Sequence, residues 1–480
     1  MKNGFNKFNI SEEILKAVDG LGYKKPSEVQ EKAIPEILLN KDIIVKSQTG
    51  SGKTAAFAIP LCEKINWDEN SPQVLVLSPT RELAVQVSDE FVNIGRFKRI
   101  KAVSIFGKQP ISEQERMLKQ KTHVVCGTPG RILDHIDRGS LNINKIKYFV
   151  IDEADEMLNM GFINQVEGII RRIPKKKVTM LFSATIPEEI RKLCRKHMDR
   201  PVEIFIEKEN AANSNIEHNL YYVDYEKRFE FLNEILICEQ PESAVIFGRT
   251  KDKVDEIYEF LESKSYSCGR IHGGMLQKER LAVMDSFRKG EFRLLAATDI
   301  AARGIDIENI THVINFELPV EKEAYVHRIG RSGRAGAKGK AISICFKKGD
   351  RYLAEIEKYI GFAIPVREHF SQKFIKDNMD KGLSKLKSRP KRKKEKSKEI
   401  NLGITKIYLN GGKKKKIRAG DIVGAISKIE GVDGNDIGII DVQDNVSYVD
   451  ILNGKGKTVI EGLKTALVKG KKLKCEKARK

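Results

Sequence analysis

The chain has 480 residues, 40% of them apolar, and a net charge of +21. That length exceeds one hydrophobic core and predicts about three domains, while the absence of any run of 18 apolar residues excludes a membrane-spanning helix. The start MKNGFNKFNI lacks the apolar centre of a signal peptide, and seven scattered cysteines without a C-x-x-C pair argue against a disulfide framework or a zinc site, so a reduced, cytoplasmic location is expected.

In chain order, the runs DIIVKS, QVLVLSPT, THVVCGTP, YFVIDEAD and VTMLFSAT each read as a buried parallel strand entering a polar loop. Helical patterns such as AAFAIPLCEKI and ELAVQVSDEFVNI separate them, which predicts β-α-β units and a doubly wound sheet over residues 1–206. EKENAANS, 207–214, reads as a linker. The pattern then restarts over 215–365 with SAVIFGRT, YSCGRIHGG, RLLAATDI, HVINFELP and KAISICFK.

From Val366 onward there are 30 Lys/Arg against 14 Asp/Glu, so most of the net charge lies in the tail and points to a polyanionic partner. Residues 366–400 read as a basic linker, whose charge run Lys385–Lys398 is expected to be extended. The region 401–480 follows, with KIYLN, DIVGAISKI, DIGIIDVQD and VSYVDIL as its strand-like runs.

The stretch SQTGSGKT, Ser47–Thr54, lies between a strand and a helical pattern, the setting of a phosphate-binding loop, although Ser47 stands where glycine is usual. Gly50 and Gly52 let backbone N–H groups turn inward; Lys53 can reach the β- and γ-phosphates and Thr54 can hold Mg²⁺. YFVIDEAD ends in Asp152 and Glu153, placed to order Mg²⁺ and to polarise an attacking water.

With these motifs the chain resembles the DEAD-box ATP-dependent RNA helicases, whose loop reads [AS]-x-T-G-x-G-K-T, so Ser47 is ordinary there. The resemblance implies two tandem RecA-like domains (doubly wound parallel sheets, α/β) and an ATP site that includes Ser47, Gln48, Thr49, Gly50, Ser51, Gly52, Lys53 and Thr54. GYKKPSEVQ, Gly22–Gln30, resembles the family's Q motif, in which Gln30 reads the adenine edge. Phe5 takes the place of the aromatic that packs on the adenine, with Phe8 as a competitor or both as core. PTREL and TPGR match RNA-backbone loops and assign Arg81, Thr128 and Arg131 to phosphates; SAT, Ser183–Thr185, matches the element coupling hydrolysis to RNA. One departure is FGKQ, where the family often has Gly-Gly: Lys108 is a phosphate contact or a solvated lysine.

In the second lobe HRIGRSGR offers Arg331 and Arg334 as arginine fingers for the transferring phosphoryl group. By the same resemblance Thr298, Arg303 and Gly304 of ATDIAARGIDI meet RNA, Asp306 contacts the ATP ribose, and Arg249, Gln277 and Arg280 join the RNA track. Backbone contacts carry no sequence information, so the two lobes are expected to accept many RNAs and unwind short duplexes locally.

KIYLNGG resembles the first strand of an RRM, which implies a small α+β RRM-like C-terminal domain with Tyr408 available to stack a base. The match is otherwise poor, and Tyr448 is a stacking residue or core. Lys413, Lys414, Lys415, Lys416 and Arg418, then Lys469, Lys471, Lys472 and Lys474, are expected to grip phosphates. The whole is similar to the DbpA group (YxiN type) of bacterial DEAD-box proteins. That implies a monomer anchored on a large-subunit ribosomal RNA hairpin, acting on pre-ribosomal particles, with ATP and Mg²⁺ as cofactors. An ATP-gated clamp on another structured RNA is the alternative.

Overall fold

In the computed structural model, which describes residues 4–47, 50–206, 215–302, 310–333, 338–347, 349–390, 401 and 403–478, the apolar runs form strands of two parallel sheets. The first consists of β1 (Ile43–Lys46), β2 (Val74–Leu77), β3 (Ala102–Ile105), β4 (Val124–Gly127), β5 (Tyr148–Asp152), β6 (Val178–Ser183) and β7 (Val202–Phe205), in the order β3-β4-β2-β5-β6-β1-β7. Alternation along β2 shows why the run is apolar throughout. Val74 and Val76 pack with Phe57 and Phe91 on one face, and Leu75 and Leu77 pack with Ile132 and Ile169 on the other.

The two strands not legible as apolar runs, β3 and β7, are the sheet's edges and are only half covered. The second sheet repeats this. Its strands β8 (Ile216–Tyr222), β9 (Ala244–Phe247), β10 (Cys268–Ile271), β11 (Leu294–Ala297), β12 (His312–Asn315) and β13 (Gly339–Cys345) run in the order β10-β11-β9-β12-β13-β8. The unanticipated strand, β8, is again an edge. The expected linker 207–214 lies outside the described residues.

Residues 366–387, expected as part of a basic linker, instead pack on the second lobe. Leu220 N–H donates to the Pro365 carbonyl and Arg367 N–H to the Leu220 carbonyl, so the chain runs along β8. The helix Gln372–Lys387 then lies against the helix Arg228–Glu239, with Met379, Leu383 and Leu386 in the second lobe's core. These apolar residues recur at helical spacing, but the surrounding lysines dominate the composition and hide them. Of the charge run, 391–400 lies outside the described residues.

The C-terminal sheet is antiparallel: β14 (Thr405–Leu409), β15 (Ile437–Val442), β16 (Ser447–Ile451) and β17 (Cys475–Lys477), ordered β15-β16-β14-β17. Helices Ala419–Ile426 and Gly456–Thr465 pack against it. DIVGAISKI, expected as a strand, supplies most of the first of these helices. Ile422, Ala425, Ile426 and Ile429 are spaced i, i+3, i+4, i+7 and face the core, so periodicity overrides their β-branched character.

Gly382 marks where the helix 372–387 approaches the second lobe most closely: a Cβ there would stand 2.6 Å from the Ile237 carbonyl oxygen. Gly382→Val is expected to cost about 1–3 kcal/mol by overpacking. Calorimetry of the full chain should show the second lobe's transition lowered, with the first lobe's unchanged.

Candidate nucleotide and RNA sites

Every strand of a parallel sheet ends on the same side, so the loops after β1, β5 and β6 converge. The loop after β1 is held from two sides. Ser47 N–H donates to the Ser183 carbonyl of β6 at 3.0 Å, and Lys53 Nζ donates to the Ser47 carbonyl at 3.1 Å. Gly52 has φ 91°, which favours glycine, and a Cβ there would meet Gln30 Nε2 at 2.5 Å. Gln30 itself accepts from Ser27 N–H at 2.9 Å and donates to the Gly52 carbonyl at 3.1 Å, while Ser27 Oγ donates to the Ser51 carbonyl at 2.7 Å. The Q-motif glutamine therefore props the phosphate loop. Phe5 is fully enclosed among Phe8, Tyr23 and the first-lobe core, so in this arrangement no ring face is offered to an adenine. Gly50 is left-handed, Ser51 and Thr54 are half-buried, and Gln48 and Thr49 lie outside the described residues.

At the end of β5 four acidic residues are buried in succession apart from Ala154: Asp152, Glu153, Asp155 and Glu156. Glu153 has φ 54°, a left-handed backbone that costs about 1–2 kcal/mol for a residue with a side chain. Strain of this kind is held where surrounding structure over-determines it. Asp155 is satisfied by the loop after β6: its Oδ2 accepts from Thr185 N–H at 2.8 Å and Thr185 Oγ1 at 3.0 Å. Its own N–H donates to Ser183 Oγ at 3.1 Å. The SAT segment is thus bonded directly to the acidic cluster. Asp152 Oδ1 is buried without a hydrogen-bond partner. Burial, then the Glu153 charge, push the Asp152 carboxyl up to about 7, against the opposing pull of Lys53.

The second lobe closes over this cluster. His327 Nδ1 meets Glu156 Oε1 at 2.6 Å across the lobe boundary. Arg331, 5% exposed, donates from Nε to the His327 carbonyl at 3.1 Å. One pocket is lined by Lys53, Glu153, Asp155, Glu156 and Ala184 from the first lobe and by His327 and Arg331 from the second. Sequence reasoning missed His327 and Glu156 as the inter-lobe contact, and missed Arg328. The Arg328 guanidinium is buried between Asp299 at 2.7 Å, Asn315 at 3.0 Å and the Glu317 carbonyl at 2.7 Å, and so fixes the end of the helix Lys322–Ile329, two residues before Arg331. Of the expected nucleotide residues in this lobe, Asp306 and Arg334 lie outside the described residues, as do Arg303 and Gly304 of the RNA set.

The RNA candidates also meet across the lobes. Arg81 Nη1 donates to Gln277 Oε1 at 2.8 Å, Gln277 Nε2 donates to Glu82 Oε1 at 3.0 Å, and Arg280 pairs with that same oxygen at 3.0 Å. Arg131 donates to the Gln109 carbonyl and to Gln114 Oε1, each at 3.0 Å. Thr128 precedes the helix Pro129–Asp137, Arg249 donates to the Leu318 carbonyl at 2.6 Å, and Thr298 is buried at the end of β11. Lys108 is exposed at φ 60°, the conformation for which a glycine pair is suited. In the C-terminal domain Tyr408 and Tyr448 form an edge-on pair at 5.8 Å, both half-buried. Lys413, Lys414, Lys415, Lys416 and Arg418 are exposed. Lys469 and Lys471 bond to the carbonyls of Lys416 and Lys415 at 2.8 Å, which joins two basic clusters distant in sequence into one patch.

Comparison with known proteins finds three family profiles. The DEAD/DEAH box helicase profile matches residues 27–193, the helicase conserved C-terminal domain 227–336, and the DbpA RNA binding domain 406–477. The chain is 56% identical over 476 residues to the ATP-dependent RNA helicase DbpA of Bacillus subtilis (strain 168), covering 99% of both. It is 45% identical over 354 residues to the DEAD-box ATP-dependent RNA helicase CshA of Geobacillus kaustophilus (strain HTA426), covering 74% of this chain and 76% of that protein. Among solved structures, S. cerevisiae Dbp5 bound to RNA and ADP BeF3 aligns with a TM-score of 0.71 at 32% identity, over 80% of this chain and all of that one.

The displaced acidity of Asp152 makes a prediction. Its pKa is raised on folding, so its contribution to stability is fully present below about pH 4 and is lost as pH rises through about 7. Asp152→Asn should therefore raise the melting temperature of ligand-free, metal-free protein by a few degrees at pH 8 and change it little at pH 4.

Proposed function

The chain belongs to the DEAD-box ATP-dependent RNA helicases and carries a DbpA RNA-binding domain, and on that premise we propose that it unwinds short, structured elements of large-subunit ribosomal RNA, without long-range translocation, during ribosome assembly in the cytoplasm. The observation that carries the enzymatic half is the single pocket shared by Lys53, Glu153 and Arg331. Lys53 binds the β- and γ-phosphates, Glu153 orients and polarises the attacking water, and Arg331, with Arg334, offsets charge on the transferring phosphoryl group. His327 and Arg328 hold Arg331 in place; they are positioning residues.

The unpartnered Asp152 Oδ1 and the Thr54 hydroxyl fit Mg²⁺, which when bound neutralises phosphate charge. Among the described residues no group of three His, Cys, Asp or Glu side chains forms a self-sufficient metal cage, so these two side chains would hold the ion together with phosphate oxygens and water.

The selective half rests on the lysine patch, whose lysines remain exposed and are gathered from two distant segments. Phosphate contacts of this kind give affinity that falls with salt, and the protein works as a monomer on its RNA. Structured ribosomal RNA is the target favoured by the full-length likeness to a DbpA protein.

Arg331→Ala is expected to lower kcat for ATP by about 10³-fold or more while ATP affinity stays near that of the parent. A loss of affinity with kcat intact would refute its role. The target is tested by ATPase stimulation: a large-subunit ribosomal RNA hairpin should activate at far lower concentration than an unrelated hairpin of equal length. Equal activation by both would end the ribosomal assignment.

A further inference from the structure

The outer face of an RRM-like sheet, turned away from its helices, is ordinarily where bases stack. Here that face is acidic. Ile407, Leu409, Val449 and Ile451 point inward to the helices. Their alternates point out: Tyr408 lies opposite Tyr448 and Glu476, Lys406 opposite Asp450, and Asp441 beside Tyr448. Asp441 and Asp450 would repel an RNA backbone laid across this sheet, while Glu476 is paired with Lys474 at 2.9 Å.

Asp450 is nonetheless buried, although it faces away from its own domain's core. The cover comes from the first lobe. Arg96 Nη1 meets Asp450 Oδ2 at 3.1 Å, with side-chain exposures of 13% and 11%. Lys101 Nζ meets Asp441 Oδ1 at 3.2 Å. Burial alone would raise the Asp441 carboxyl, yet Lys101 helps hold it below the ordinary carboxylate range. Arg99 also donates to the Gly434 carbonyl, and Lys16 Nζ reaches Asn453 Oδ1 at 3.4 Å. Four first-lobe cations from Lys16 and the loop 96–101 thus match one edge of the C-terminal domain. The lysines of the basic patch make their hydrogen bonds within the C-terminal domain and stay exposed.

We propose that the outer face of the C-terminal sheet is a docking surface for the first lobe, read by charge, and not a base-stacking platform. Partly buried pairs are strong enough for this because one chain carries both surfaces. A tethered domain meets its partner at an effective concentration on the order of millimolar, so contacts too weak for a bimolecular complex suffice. Removing one member of a pair leaves the other buried and uncompensated, and docking is lost.

The test uses the full chain and a zero-length carbodiimide, which joins an amine and a carboxylate only in contact. Mass spectrometry should find the Lys101–Asp441 cross-link in the parent protein. Asp450→Arg and Arg96→Asp should each reduce its yield at least tenfold, and the double swap should restore it. Saturating ribosomal RNA hairpin should leave the yield within twofold. Absence of the cross-link in the parent, its persistence in both single variants, failure of the double swap to restore it, or its tenfold loss with RNA would overturn the proposal.

Discussion

Four carboxylates within five residues at the end of β5 are buried together, and like charges in a dry site are costly unless cations or donors surround them. The structure answers with groups from three places. Lys53 comes from the loop after β1, Thr185 from the loop after β6, and His327 with Arg331 from the other lobe. The second lobe is therefore not a passive neighbour: it supplies positive charge that the first lobe's acidic cluster lacks. Asp152 Oδ1 stays buried without a hydrogen-bond partner.

The same closure shapes the far side of the cleft. Arg81, Glu82, Gln277 and Arg280 satisfy one another across the boundary. Three of these, Arg81, Gln277 and Arg280, were expected in the RNA track; here they bond to one another and to Glu82 across the lobe boundary. Nucleotide and RNA sites are consequently linked through one geometric variable, the separation of the lobes, with ligand-specific contacts on either side of it.

Much of this was legible in the sequence, and the exceptions have physical reasons. Buried parallel strands announce themselves because both faces are apolar; β3 and β7, half covered, do not, and in β8 the buried residues include the polar His218 and Asn219, which break the apolar run. The segment 366–387 hides a helical apolar stripe among lysines, and DIVGAISKI hides one behind β-branched residues. At the site, Lys53, Asp152, Glu153 and Arg331 could be assigned from motifs because their chemistry fixes the residue type. His327 and Glu156 could not, since a histidine–carboxylate contact between separate lobes leaves no local pattern. Gln30 was read as an adenine contact, but its bond to the Gly52 carbonyl depends on a loop and a helix meeting in space. The pairing of Arg96 with Asp450 lies beyond sequence reasoning for the same reason.

The central claim is that two half-sites close around the triphosphate, so nucleotide and RNA each favour the same shut form. The most direct measurement is a pair of titrations: the Kd of a non-hydrolysable ATP analogue with and without saturating RNA, and the Kd of RNA with and without saturating analogue. The account predicts that each ligand tightens the other by one common factor, roughly 5- to 150-fold. Two ratios indistinguishable from one would show that the half-sites act independently and would contradict it.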